Sequence, residues 1–204
     1  MPFKLRKYKN ACIKLNGGNP IFIPESDPKN GKGKINIMFI NERPGPKTRG
    51  TDLVCFDNPD PTARLFKYLF EKTFGLEYRR HIFITNAVIW VPDEAKPRNY
   101  KPTSKELRDS LPILKNQIET IKPKLIVSLG NSALYSLKKL YPESQKLQGY
   151  KLTNDIGKVI TDTPISIYPA FHTSSLGQVT RNKKQQEKDW LKMRGLITTT
   201  PSNP

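Results

Sequence analysis

The stretch INIMFINERPG, residues 35–45, joins an apolar segment to an unusual polar ending. INIMFI is short, rich in isoleucine and mostly apolar on both faces, which is typical of a strand buried on both sides of a sheet. Asn41, Glu42 and Arg43 follow it, and a Pro-Gly turn comes next. Such a polar cluster at a strand end is either a loop that returns to water or one wall of a site.

Three further segments predict strands of the same kind, and helical patterns separate them. The alternation predicts an α/β fold, a three-layer α/β/α arrangement around a central, mostly parallel four-stranded sheet. Ligands of such sheets bind beyond the carboxyl ends of the strands, so polar residues there are candidates for a site. The strands are HIFIT (81–85), KLIVSLG (124–130) and PISIYPAFH (164–172); the helices are 62–75, 103–121 with a Thr103–Glu106 capping box, 131–140 and 182–194.

The charge balance is the strongest global signal. Lys and Arg number 35 against 18 Asp and Glu, which gives a net charge of +17. Such a field attracts polyanions, and nucleic acid fits best among them. The alternative is a lysine-rich surface that serves solubility alone.

Cysteine content and hydropathy indicate the compartment. Two cysteines are too few for a disulfide framework, which favours a reducing environment. No apolar run approaches the ~18 residues of a membrane span. We therefore expect an intracellular, cytoplasmic, monomeric protein without a membrane partner, associated with the nucleoid if DNA is the polyanion.

Five short motifs occur in the order in which a known enzyme family carries them. Together, over residues 35–177, they resemble the uracil-DNA glycosylase superfamily, family 4 in particular. Each motif is weak by itself, but five in order are specific. MFINERPGPKTRG (38–50) is similar to the family's Gly-Glu-Ala-Pro-Gly motif, with Asn41 in place of the first glycine and Arg43 in place of alanine, and ITNAVIW (84–90) is similar to its Ile-Thr-Asn motif. RNYKPTSKELRDSLPIL (98–114) matches a Pro-Thr-x-Glu helix start with one extra residue, and PKLIVSLGNSAL (123–134) matches the strand and turn that follow. AFHTSSLG (170–177) resembles a His-Pro-Ser loop, with Thr173 in place of proline.

The resemblance implies hydrolysis of the bond between a base, uracil, and its deoxyribose in DNA. The nucleotide is turned out of the helix into a pocket, and an abasic site remains. Asn86 is then expected to read N3–H and O4 of the base, with Phe56 stacked on its ring. His172 would bond O2, and Glu42 would orient or deprotonate the attacking water. Without the resemblance, a strand-capping asparagine, a structural histidine, a salt-bridged glutamate and a core phenylalanine remain alternatives.

The resemblance also implies contacts to the DNA strand. Leu176 is expected to fill the gap left by the flipped base. A solvated helix end is the alternative for the basic residues. The expected backbone contacts are Ser174 and Thr173, the amides around Gly130 and Asn131 at a helix start, and the cluster Arg181, Lys183 and Lys184.

The sequence departs from the family in two ways. Family 4 holds an iron–sulfur cluster on four cysteines, but Trp90 and Ser110 stand at two of those positions and Cys12 is the remaining match. We therefore expect no metal and no cofactor, with Trp90 filling the volume of the cluster and Cys55 an ordinary apolar residue. The loop VPDEAKPRNYKPT (91–103) has no histidine, so trapping of the sugar on the protein is not expected.

Three segments and two hypotheses follow. Residues 1–34 predict a basic, loop-rich arm, 35–197 a glycosylase-like catalytic domain and 198–204 a polar tail, with a hairpin over 147–162. The first hypothesis is a glycosylase for uracil, or for another deaminated base such as hypoxanthine or xanthine. The second is a non-catalytic DNA-binding member of the superfamily, suggested by the changes at Asn41, Arg43 and Thr173.

Overall fold

The computed structural model describes residues 3–45, 47–92 and 101–198. The strands are β1 (Ile21–Phe22), β2 (Glu25–Ser26), β3 (Ile37–Asn41), β4 (Leu53–Val54), β5 (Ile82–Asn86), β6 (Val91–Pro92), β7 (Leu125–Leu129) and β8 (Ser166–Ala170). The helices are α1 (Lys9–Leu15), α2 (Thr48–Thr51), α3 (Pro61–Phe74), α4 (Ser104–Asp109), α5 (Leu111–Ile121), α6 (Asn131–Leu140), α7 (Gln145–Gly149), α8 (Leu152–Asp155), α9 (Ser175–Thr180) and α10 (Lys183–Thr198). Leu5–Tyr8 and Leu76–His81 form 3₁₀ helices.

A four-stranded parallel sheet in the order β5-β3-β7-β8 forms the centre of the molecule. Every residue of β3, β5 and β7 is buried, as their unbroken apolar runs predict. The predicted α/β fold with its four parallel strands is therefore confirmed. All four strands end at the same edge of the sheet, which brings the polar residues that follow them together.

Helices cover both faces of this sheet. On one face the Phe39 ring stacks on Trp190 of α10 and meets Phe66 of α3 edge-on, with ring centroids 5.6 and 5.1 Å apart. On the other face Thr85 donates a 2.7 Å hydrogen bond to Gln117 of α5. Because side chains alternate along a strand, Asn41 lies on the face of Phe39, toward α3.

The capping box predicted at Thr103–Glu106 is present at the start of α4. The predicted helix 103–121 is divided, however, since α4 ends before Ser110 and α5 begins at Leu111. Pro112 lies in the first turn of α5, where its missing N–H costs no helical hydrogen bond.

Two local predictions need correction. The segment 1–34 is helical over Leu5–Leu15, and Leu5 and Cys12 are fully buried in the core. The predicted hairpin over 147–162 is instead occupied by the end of α7, by α8 and by a single bridge from Ile160 to Ile167. Most of the predicted tail 198–204 lies outside the described residues. No helix in the described part of the chain is long and apolar enough to cross a membrane.

Candidate active site

A cavity of about 250 Å³ opens at the carboxyl ends of the strands. Asn41 and Asn86 line it from adjacent strand ends, where their Cα atoms are paired in register, and His172 lines it after β8. Val54 and Pro61 contribute apolar wall. Two amides and an imidazole from three distant parts of the chain therefore face one hollow.

Asn86 lines this cavity and carries an unsatisfied donor. The residue is 2% exposed, and its Nδ2 has no hydrogen-bond partner in the described structure. A buried polar atom without a partner is costly, so a ligand or water that supplies the missing hydrogen bond is favoured there. Asn86 is therefore prepared to recognise a planar polar group that enters the cavity.

His172 lies between this cavity and a neighbouring cleft of about 420 Å³. The backbone N–H of Ser174 donates to His172 Nδ1 at 3.1 Å, which leaves the proton of a neutral ring on Nε2. Burial lowers the pKa of His172, although the nearby charges of Glu42 and Asp60 act in the opposite direction. The ring is thus a neutral Nε2–H donor at neutral pH.

We expect His172 to titrate below its ordinary pKa of 6.5. The chain has two histidines, so NMR spectra of the wild type and of His172→Ala identify its resonances. Below pH 6.5 the unfolded chain takes up a proton that the folded ring resists, so this residue lowers stability as the pH falls. A midpoint above 6.5, or the Nδ1–H tautomer, would contradict the neutral donor.

Close backbone approach holds His172 in place. Gly130 has φ +84°, and a Cβ there would lie 3.1 Å from the Cβ of His172. At Gly177 a Cβ would lie 1.9 Å from the carbonyl oxygen of His172, which no side chain tolerates. The Gly130 N–H donates to the Ala170 carbonyl at 2.8 Å. The predicted contact between this N–H and a phosphate is therefore wrong.

Glu42 faces the neighbouring cleft on the other side of His172. Its Oε2 accepts a short hydrogen bond from Ser132 Oγ in the first turn of α6. Lys101, Ser174 and Leu176 also line this cleft. The acid, the amide and the imidazole are therefore placed on two adjoining hollows that share His172 as a wall.

The predicted DNA contacts differ in accessibility. Leu176 is 74% exposed, and Val179, one turn later on α9, is 84% exposed. Ser174 caps α9 by accepting from the Gly177 N–H at 3.3 Å. Asn131 and Lys184 are exposed. An exposed apolar pair beside a polar cleft suits insertion into DNA.

Four predicted site residues are buried or are held by structural contacts instead. The Phe56 ring is 1% exposed and packs against Phe66, Phe70 and the Arg79 guanidinium, so it belongs to the core, and Cys55 lines the cavity in its stead. Thr173 is fully buried and out of reach of a phosphate. Arg181 makes a two-pronged 2.8 Å ion pair with Asp189, and Lys183 lies 3.5 Å over the Tyr68 ring.

Sequence reasoning missed three residues of this region. Asp60 lines the cavity and caps α3 by accepting from the Ala63 N–H at 3.0 Å. Asp before Pro at a helix start was a visible capping signal. Ser132 was also missed, because only the fold shows that it lies beside Glu42. Asn41 was noted as a polar residue at a strand end but was given no role, because only the fold shows that it lies beside Asn86.

Arg43 joins the end of β3 to α4. Its guanidinium forms an ion pair with Glu106 and lies over the Trp90 ring, 5.1 Å from the centroid. The Arg43 side chain is 4% exposed and Trp90 is 1% exposed. The change from alanine to arginine in the first motif thus has a structural reason, since it supports the turn that carries Glu42.

The fold and the site together define the class. Polar side chains at the ends of a parallel α/β sheet line a cavity of about 250 Å³, and a sequence profile of the uracil DNA glycosylase superfamily matches residues 28–194. The chain belongs to this superfamily.

Within the superfamily, the chain is similar to two type-4 enzymes. The chain is 30% identical over 183 residues to the type-4 uracil-DNA glycosylase of Saccharolobus solfataricus, covering 85% of this chain and 77% of that protein. It is 29% identical over 175 residues to the type-4 uracil-DNA glycosylase of Sulfurisphaera tokodaii, covering 84% of this chain and 74% of that protein.

The iron–sulfur cluster implied by the resemblance to family 4 does not fit this chain. The sequence has two cysteines, and burial raises the pKa of each thiol to about 12, which keeps both protonated. Buried Trp90 and Ser110 occupy two of the expected ligand positions. Among the residues that the structure describes, no group of three or more His, Cys, Asp or Glu side chains could hold a metal.

Proposed function

We propose that this protein is a monofunctional DNA glycosylase that hydrolyses the bond between uracil and deoxyribose. One observation carries the proposal: Asn86, whose buried Nδ2 has no hydrogen-bond partner in the described structure, lines a cavity that His172 also lines. A uracil edge offers N3–H next to the carbonyl O4, which complements the acceptor and donors of one carboxamide. Cytosine presents the opposite pattern and would leave the buried amide mismatched.

As the bond between N1 of uracil and C1′ of deoxyribose breaks, opposite charges develop on the base and on the sugar. Negative charge accumulates on the leaving base, and the Nε2–H of neutral His172 stabilises it at O2. Positive charge accumulates at C1′ of the sugar, and the carboxylate of Glu42 stabilises it from the adjoining cleft. Groups fixed before reaction in this way stabilise the transition state without reorganisation.

Water completes the reaction from the side of Glu42. The water oxygen bonds to C1′ as the bond to N1 breaks, and the base leaves with the bonding electrons as an anion. The water proton passes to Glu42 and then to solvent, and the released uracil anion takes up a proton from solvent. The hydrogen bond from Ser132 fixes one oxygen of Glu42, so the other is available to the water. The products are free uracil and an abasic site, with no covalent bond to the protein.

DNA reaches the site through charge and shape. The net charge of +17 draws the strand toward the protein, and Lys101 in the cleft is placed for a phosphate. Leu176, aided by Val179, takes the place of the flipped nucleotide. The loop 93–100, whose lack of histidine predicts no trapping of the sugar, lies outside the described residues.

An oligonucleotide assay tests this function. Labelled strands with one uracil, single or paired with guanine or adenine, are incubated with pure protein and then treated with alkali. We expect breakage at the uracil after alkali, no breakage without it, and strong loss in Asn86→Ala. Hypoxanthine and xanthine substrates run in parallel. Tight binding of uracil DNA without breakage of any substrate would instead establish a non-catalytic member.

We expect activity to be independent of iron. Because the residues do not fit a cluster, dialysis against a chelator and a reductant should leave the excision rate and Tm unchanged, and the protein should show no visible absorption. Iron analysis of protein expressed with added iron checks this directly. Stoichiometric iron together with lost activity after chelation would contradict the expectation.

A further inference from the structure

Asn41 is a second carboxamide in the base cavity. It is 6% exposed, it lines the cavity, and its side chain makes no hydrogen bond to the described residues. Its backbone carbonyl is occupied by the Ala87 N–H at 2.8 Å. The part of Asn41 without a partner is therefore the amide that faces the hollow.

The order of the strands fixes where this amide lies. From edge to edge the sheet presents β5 with Asn86, β3 with Asn41, then β7, and β8 followed by His172. Asn41 and Asn86 are paired in register on parallel strands, so their side chains share a face, about 4.8 Å apart at the backbone. Asn41 thus stands between the amide of Asn86 and the imidazole of His172.

The edge of uracil offers three groups in a row: O4, N3–H and O2. The carboxamide of Asn86 binds O4 and N3–H, so O2 must receive its hydrogen bonds from other donors, on the side of the base away from Asn86. A carbonyl oxygen has two lone pairs, and His172 Nε2–H fills one of them. The remaining lone pair falls on the side of Asn41.

We propose that Asn41 is a specificity-determining residue whose Nδ2 donates to the 2-carbonyl of the flipped base. This inference rests on the proposed function. It names a substrate class, namely deaminated bases with a carbonyl at position 2, such as uracil and xanthine. Hypoxanthine has C2–H there and leaves the buried amide without a partner, which disfavours it.

The test compares wild type with Asn41→Ala and with Asn41→Asp, which keeps the volume but removes the donor. We expect kcat/KM for uracil DNA to fall roughly ten- to hundredfold in both, the cost of losing a buried hydrogen bond. Thermal unfolding confirms that each variant is folded. Unchanged kcat/KM in a folded variant overturns the proposal.

Free bases locate the contact. Uracil and pyrimidin-4(3H)-one share the N3–H and O4 edge, but the second lacks O2. NMR titration of wild type and variants gives both dissociation constants. We expect Asn41→Ala to weaken the binding of uracil but not that of pyrimidin-4(3H)-one, and we expect Asn86→Ala to weaken the binding of both bases. Equal weakening of the two bases by Asn41→Ala would make Asn41 a residue that only shapes the cavity. Wild-type protein that does not excise uracil would refute the proposed function itself.

Discussion

Replacing Glu42 with glutamine is expected to slow uracil excision by roughly 10²–10⁴-fold, the usual contribution of a general base. Glutamine keeps the shape and still accepts the hydrogen bond from Ser132, but it removes the negative charge that faces C1′ and the water. The binding of uracil DNA should change little, because the loss falls on the transition state. Single-turnover rates with excess enzyme measure the step directly.

Two variants control this experiment. Glu119→Gln alters an exposed glutamate on α5 that pairs with Lys115 at 3.8 Å, and it should leave the rate unchanged. Ser132→Ala frees Glu42 without removing its charge, so its loss should be smaller than that of Glu42→Gln. Wild-type rates in Glu42→Gln would remove this residue from the mechanism.

Replacing Glu106 with alanine is expected to lower the free energy of unfolding by about 3 kcal/mol, the low end of the range for breaking a buried ion pair, because the Glu106 side chain is 22% exposed. The change leaves the Arg43 guanidinium, 4% exposed, without its carboxylate and also removes the capping box of α4. Urea denaturation measures this change in the free energy of unfolding. Asp109→Ala, which breaks the exposed pair of Lys105 and Asp109 on the same helix, should cost less than about 1 kcal/mol.

A double variant separates the two causes. If the unpaired Arg43 dominates, Arg43→Met with Glu106→Ala should be more stable than Glu106→Ala alone. Equal stability of Glu106→Ala and Asp109→Ala would show that the ion pair does not anchor the turn after β3.

The same pair gives stability a dependence on pH. Burial alone would raise the pKa of Glu106, but hydrogen bonds from the Thr103 N–H and from Arg43 lower it below its ordinary value. Its contribution is thus present above the ordinary pKa of 4.5 and is lost as the pH falls through the lower folded pKa.

The layout of the fold was accessible from the sequence because its signals are local. Four apolar runs between helical patterns predict the parallel sheet, and the Thr103–Glu106 spacing predicts a helix start. The polar residues after the strands also indicated a site, since parallel strands end at one edge. Asn86 and His172 do line one cavity there, and Glu42 lines the adjoining cleft.

Other features depend on partners that are distant in sequence. Phe56 looked like a stacking ring, but Arg79, 23 positions later, covers its face in the core. Arg181 was predicted to contact DNA, but in the structure its guanidinium forms an ion pair with Asp189 on α10. The Arg43–Glu106 pair spans 63 positions, so no local pattern could explain the arginine in the first motif.

The most direct measurement is a crystal structure with an oligonucleotide that carries 2′-fluoro-2′-deoxyuridine, whose glycosidic bond resists hydrolysis. We expect a flipped uracil inside the 250 Å³ cavity, with O4 and N3 about 3 Å from the Asn86 amide, O2 at His172 Nε2, and C1′ facing Glu42. A uracil that stays stacked in the DNA, or that binds away from Asn86 and His172, would contradict it.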